Sequence, residues 1–356
     1  MSAGVGATNY EYVTARVRHR RASLFGEDDY RKLLRMCPGE IARFMEESEY
    51  ELEINELGAR HDGVDLIEFA LNRNLARHFE DLLRWSNGRL YEQVVRYLRK
   101  FDAWNLKTVL RGHFAGSSPA SIREDLIRAG EFDDAFIDQL VEAGSVDAVV
   151  ELASSADLFG PPLADALDEF SASGVLVPLE NAIDRAYYEN LLGDLPRAGS
   201  NDRAGLLYAE FLRAEVDFRN VRNALRLARS GADLDPLTYY IEGGELFSAT
   251  ELRSLVADGN TDALVARLSE SKYGAELESA LDDLADAESL IGFEHALESA
   301  LLSYSEHLSY VFPLSVCPVL AYVLAKEREV ENVRAIARGR EAGLDEEALE
   351  AELVML

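Results

Sequence analysis

Three stretches of the chain place an acid, an asparagine and two cations in one order: FDAWNLKTVLRG from Phe101, VDFRNVRNALRL from Val216 and REVENVRAIARG from Arg328. On a helix, Lys107 and Arg111 are four residues apart and share a face, as do Arg222 with Arg226 and Arg334 with Arg338. Asp102 precedes Asn105 by three residues and falls on a different sector. The chemistry on offer is ion pairing rather than bond making. Two partners are open for the cations. One is a set of repeated glutamates, Glu68, Glu180 and Glu294, in IEFALNRNL, LENAIDRAY and FEHALESAL on a neighbouring helix; the other is a separate protein.

Other chemistry is poorly supported. The six histidines, His19, His61, His78, His113, His295 and His307, show no HExxH or similar metal spacing. Gly4-Val5-Gly6 lacks the strand before and the helix after that a phosphate-binding loop requires, and no GxxxxGK[ST] occurs, so no nucleotide site, cofactor or metal is expected. Adjacent acids such as Asp28-Asp29, Asp133-Asp134 and Asp282-Asp283 belong to a population of 65 and read as solvated faces, not as an acid/base pair. The one dense basic run is RVRHRR, residues 16–21, on a helix that begins after Thr8-Asn9. It can bind the acidic body of a neighbouring repeat, or meet a partner subunit or anionic lipid.

The charge balance narrows the class of partner. A formal charge of −29 repels phosphate backbones, which argues against nucleic acid. The acids are dispersed and lysine is scarce beside arginine, as in a protein adapted to high salt, where screening at about 3 Å suppresses self-repulsion. Cys37 and Cys317 are the only cysteines, too few for a disulfide framework, and a reducing setting fits. MSAGVGATNYEY has no apolar segment of the signal-peptide kind.

The elements that must carry these residues read as helices throughout: amphipathic stretches, little β-branched alternation, short Gly/Pro/Ser breaks. The asparagines Asn105, Asn220 and Asn332 lie 115 and 112 residues apart, and the glutamates Glu68, Glu180 and Glu294 lie 112 and 114 apart. A weaker third landmark, YRKLLRMCPGEIARFMEESEYEL, FIDQLVEAGSVDAVVELASSADLFG and ELRSLVADGNTDALVARLSESKYG, keeps the same order. The chain is therefore expected to be all-α, three tandem helical copies at 1–116, 117–232 and 233–356, with joints near Gly116-Ser117-Ser118-Pro119 and Gly231-Ala232-Asp233. The uncharged run from Leu308 to Ala325 is long enough to raise a membrane span. Its prolines, Pro313 and Pro318, and the charged counterparts RLYEQVVRYLRK and GLLYAEFLRAEV in the other copies make it a core helix instead, with Pro318 at the helix start.

YEYVTARVRHRRASLF, FDAWNLKTVLRG and FPLSVCPVLAYVLAKEREVENVRAIARG, taken in order with the triplication, resemble the C subunit of archaeal A-type ATP synthases, the family of the d subunit of vacuolar ATPases. The middle copy departs most from the pattern. The resemblance implies a non-catalytic rotor part, a pseudo-threefold funnel on the cytoplasmic face of the membrane, peripheral to it. It implies a seat on the proteolipid ring, a mouth that receives the D and F subunits of the central stalk, and the A/B catalytic head in the same complex. The cations at Lys107, Arg111, Arg222, Arg226, Arg334 and Arg338 would then either close on the repeated glutamates or line the funnel and meet the stalk. A free-standing α-helical repeat scaffold is the rival from composition alone, and a helical acid hydrolase a distant third.

Overall fold

A computed structural model describes residues 7–156, 158–193, 195–196, 200–230, 236–257, 266–271, 273–274 and 290–354. The chain is all-α, with no strand among the described residues. Contacts divide it into two compact units. The first comprises Met1–Asn9 and Phe69–Asp194, the second Tyr10–Glu68 and Leu195–Leu356.

Helix α5 (Gly63–Trp85) supplies the first unit from Phe69 onward. It is followed there by α6 (Arg89–Leu98), α7 (Lys100–Ala115), α8 (Pro119–Glu124), α9 (Asp134–Val141), α10 (Val146–Ala153), α11 (Gly160–Ser173) and α12 (Val177–Gly193). Helix α7 is the hub, packing on α6, α8, α9, α10 and α12. Its buried face carries Leu106, Val109 and Leu110, each fully withdrawn from solvent. The helix ends at Gly116, whose φ of 71° is the left-handed turn a glycine adopts at no steric cost. The short helices that follow start on side-chain caps: Ser118 Oγ accepts from Ser121 N at 3.2 Å, and Asp133 and Ser145 do the same for α9 and α10.

The second unit contains α1 (Tyr10–Arg21), α2 (Glu27–Leu33), α3 (Pro38–Glu46) and α4 (Glu51–Leu57). Later come α13 (Arg203–Ser230), a 3₁₀ turn (Pro236–Tyr239), α14 (Ala249–Ala257), α15 (Leu290–Val311), α16 (Cys317–Glu341) and α17 (Glu346–Ala351). Helix α16 is its hub, touching α1, α2, α3, α13, α15 and α17. The uncharged run is no single helix. It breaks after Val311, where Ser315 Oγ donates to the Phe312 carbonyl at 2.7 Å and accepts from Cys317 N at 3.1 Å, and Pro318 follows as the second residue of α16. Val319 through Val323 are then fully buried. Among the described residues no helix is long and apolar enough to cross a membrane.

The packing partners of α7 and α16 give the fold its logic. Helix α7 ends before Gly116, and four of its partners, α8, α9, α10 and α12, follow that glycine in the chain. Helix α16, near the end of the chain, packs on the first three helices. The second expected joint, at Gly231-Ala232-Asp233, lies outside the described residues.

Candidate functional site

The repeated motif is where the three landmarks converge, and the asparagines come first. Asn105 Nδ2 donates to the Ile127 carbonyl at 2.8 Å, and Ile127 N–H donates back to Asn105 Oδ1 at 2.9 Å. Asn220 makes the same pair with Ile241 at 2.8 and 2.9 Å, and Asn332 with Val354 at 2.9 and 3.2 Å. Each clasped residue lies in irregular chain just after a short helical element: α8, the 3₁₀ turn or α17. Such a segment has no ladder to satisfy its N–H and C=O, and leaving either group bare and buried would cost about 1–3 kcal/mol. An amide side chain offers one donor and one acceptor at the right spacing to take both.

The acid three residues earlier is a second clasp. Asp102, almost fully buried, accepts from Glu131 N at 2.8 Å and Phe132 N at 3.0 Å. Asp217 accepts from Glu245 N at 2.7 Å and Leu246 N at 2.9 Å. Glu329 accepts from Phe25 N at 2.6 Å. Backbone must come close for this, and glycine allows it: a Cβ on Gly130 would lie 2.0 Å from Asp102 Oδ1, and one on Gly244 2.3 Å from Asp217 Oδ1. The weak third landmark completes the site. Tyr50 OH donates to Glu329 at 2.7 Å and Tyr273 OH to Asp217 at 3.3 Å, while Phe159, which aligns with them in the landmark sequence, offers no hydroxyl. Arg99 and Arg213 reinforce the first two clasps from outside, each 2.7 Å from the glutamate whose N–H is held, Glu131 or Glu245.

The surroundings of these acids differ. Burial outweighs the two backbone N–H groups at Asp102 and pushes its carboxyl up to about 7. At Glu329 a lysine intervenes. Lys326 Nζ, fully buried, lies 2.7 Å from Glu329 Oε1, 2.9 Å from Tyr50 OH and 4.1 Å from the centre of the Tyr50 ring. Burial pulls the Lys326 ammonium below its ordinary value, with the Glu329 charge opposing, and burial together with Glu329 pushes the Tyr50 hydroxyl well above its own. Sequence reading places Lys326 at the start of a charged run that ends the buried stretch. In the structure Lys326 and Glu329 are both buried.

The cations lie on the outer side of each clasp. Arg111 Nε reaches Glu180 Oε1 at 2.6 Å and Lys107 Nζ reaches Asp184 Oδ1 at 2.6 Å, joining α7 to α12. Arg222 Nη1 reaches Glu298 at 3.2 Å, where Arg328 also arrives at 2.7 Å. Arg338 holds both carboxylate oxygens of Glu68. Arg334 is half-buried near the same glutamate, its guanidinium pulled down by burial with the Glu68 charge opposing. Glu294 is half-buried on α15, and the side chain of Arg226 lies outside the described residues.

The partner of Arg111 is thus Glu180, and Glu68 takes Arg338. Asp184 and Glu298, four residues after Glu180 and Glu294, do not stand out in the sequence. Their one signal is that spacing, a single helical turn beyond the repeated glutamate. The clasping acids belong to the repeated motif, but the motif alone assigns them no role. Among the described residues no group of three or more His, Cys, Asp or Glu is arranged to hold a metal ion.

Comparison with known proteins adds a second line. A family model described as ATP synthase (C/AC39) subunit matches residues 13–352. The C subunit of the A-type ATP synthase of Haloferax volcanii is 61% identical over 351 residues, 99% of each chain. The protein of the same name from Halobacterium salinarum is 60% identical over 351 residues, again 99% of each chain. That of Methanococcoides burtonii is 35% identical over 350 residues, 98% of this chain and 95% of its own. The halophilic relatives agree with the acidic composition.

Proposed function

The chain belongs to the ATP synthase (C/AC39) subunit family, and we propose that within an A-type ATP synthase it is a non-catalytic part of the central rotor. It links the D/F central stalk to the proteolipid ring on the cytoplasmic face of the membrane and so couples ion translocation to the A/B head. The observation that carries this reading is the order of the clasps. The first copy holds the second through Asp102 and Arg111, the second holds the third through Asp217 and Arg222, and the third holds the first through Glu329 and Arg338. Three stretches of one chain tied in this cyclic order suit a part that turns about an axis under load. On this reading the funnel has pseudo-threefold symmetry, and Glu68, Asn105, Lys107, Arg111, Glu180, Asn220, Arg222, Arg226, Glu294, Asn332, Arg334 and Arg338 serve the joints between copies. Torque transfer requires no nucleophile, nucleotide or metal.

Isolation of the tagged chain from its own membranes tests the assignment. Stalk, proteolipid and head subunits should come down together, and a cross-link between this chain and a stationary subunit should halt ATP hydrolysis. A chain recovered alone, or with an unrelated protein, would favour a free-standing repeat scaffold and sink the rotor reading.

A further inference from the structure

Three of the large hydrophobic side chains left in solvent lie at one turn, and a fourth lies on the helix tied to that turn. Tyr310 (71% exposed), Val311 (50%) and Leu314 (58%) lie at the turn between α15 and α16, and Tyr12 (48%) lies on α1. Thr14 Oγ1 donates to the Pro313 carbonyl at 3.0 Å and fastens the two segments together. Helix α1 buries Val13, Thr14 and Val17, so its packing face is occupied. Its other side presents Arg16, Arg18 and His19 to solvent, and the Arg16 guanidinium lies 4.7 Å over the Tyr12 ring. Glu11 is the only acid on the helix, and Glu306, on α15 nearby, is taken by Arg21 at 3.0 Å. In a chain of net charge −29 this is an unusual combination: a cationic, aromatic and aliphatic tip on an acidic body.

We propose that this tip, the outer face of α1 with the α15–α16 turn, docks on the anionic headgroup layer of a membrane. Arginine forks pair with phosphate oxygens, tyrosines settle at the headgroup boundary, and Val311 and Leu314 enter the edge of the acyl region. Side chains that project this far from a turn enter a soft surface without requiring a matching cavity. At molar salt the screening length falls to about 3 Å, so the arginines act only in contact and the apolar side chains must keep them there. The contact is reversible, since one small apolar tip holds far less tightly than a spanning helix. It goes beyond the rotor reading and does not depend on it, because lipid alone suffices for the test.

Flotation of the full chain with vesicles of phosphatidylglycerol or phosphatidylcholine, in dilute and in molar salt, tests the proposal. The wild-type chain should float with phosphatidylglycerol and not with phosphatidylcholine. Arg16→Glu with Arg18→Glu should cut the bound fraction roughly tenfold or more, and the milder Arg16→Gln with Arg18→Gln should cut it less. Tyr310→Ser with Leu314→Ser should abolish retention in molar salt, whereas Trp104→Ser, exposed in the other unit, should leave binding unchanged. Thermal melts confirm that each variant is folded. Wild-type protein that stays in the soluble fraction with both lipids overturns the proposal, as does equal flotation of the charge-reversed variant. Binding only to membranes that carry the other ATP synthase subunits would make the tip a protein contact and overturn it too.

Discussion

The clasp at Asp102 and the clasp at Glu329 occupy the same place in the repeat but differ in how they are built. Asp102 is held by two backbone N–H groups from residues 29 and 30 positions away. Glu329 holds Phe25 from 304 positions away and adds Tyr50 OH and a buried ammonium, Lys326. The chain-closure cost rises with the logarithm of the separation, so the roughly tenfold longer loop costs about 2 kcal/mol more. One added hydrogen bond to a charged acceptor contributes about 1.5–3 kcal/mol, enough to offset that difference. The comparison suggests that side-chain chemistry is concentrated at the junction that chain connectivity supports least.

The largest test is at the ammonium. Lys326→Met leaves Glu329 buried without its counter-charge and should cost about 3–5 kcal/mol, read as an early melt of the second unit. The double variant Lys326→Met with Glu329→Gln removes both charges and should recover much of that loss. A double variant as unstable as the sum of the singles would mean that the two groups are not coupled.

Glycine substitution probes the shorter clasps. Gly130→Ala and Gly244→Ala each drive a methyl into a carboxylate, and overpacking of this kind costs about 1–3 kcal/mol. In the third junction Ser23, two residues before Phe25, holds the position that Gly130 and Gly244 hold before Phe132 and Leu246, beneath a longer Glu329 side chain. Ser23→Ala should therefore be nearly silent. Equal losses at all three positions would erase the distinction between the clasps.

The pH dependence separates them further. With its carboxyl raised from 3.8 to about 7, Asp102 binds a proton in the folded chain that the unfolded chain has already released. Its contribution is fully present below about pH 4 and is lost as pH rises through about 7. Melts of wild type minus those of Asp102→Asn, between pH 4.5 and 8, should show that decline. A flat difference across the window would show that the backbone N–H groups keep Asp102 ionised.

The outer ion pairs should matter least. Arg111→Ala and Arg338→Ala remove half-exposed arginines from Glu180 and Glu68, and each should cost about 0.2–1 kcal/mol in dilute buffer and less in molar salt. A loss in either variant as large as that of Lys326→Met would shift the weight of the junction from its buried core to its rim.

How far these junctions could be read from sequence depends on the residue. Helical class was legible, because 3.6-residue patterning and short breaks run the length of the chain. The spacing of Asn105, Asn220 and Asn332 was legible as well, since self-comparison needs no structure. Their work on backbone 21 or 22 residues downstream was not, because a polar residue between apolar ones reads the same on a solvated face. Which repeated glutamate takes Arg111 was not legible, because Glu68, Glu180 and Glu294 read alike in the sequence. The glycine at 116 marks where α7 ends, and that helix also packs on α8, α9, α10 and α12, which follow it in the chain. Lys326 escaped notice because burial of a charge depends on Glu329 and on Tyr50, a residue 276 positions away.

The dependence of α1, α2 and α3 on α16 also bears on how the chain is made. At roughly 5–20 residues per second, the 304 positions from Phe25 to Glu329 take on the order of 15–60 s to synthesise. During that interval Val13, Val17, Leu33 and Ile41 have left the ribosome while the helix that α1, α2 and α3 pack against has not. Helices α1, α2 and α3 are therefore made well before the helix they pack against, and their apolar faces need other cover in the interval.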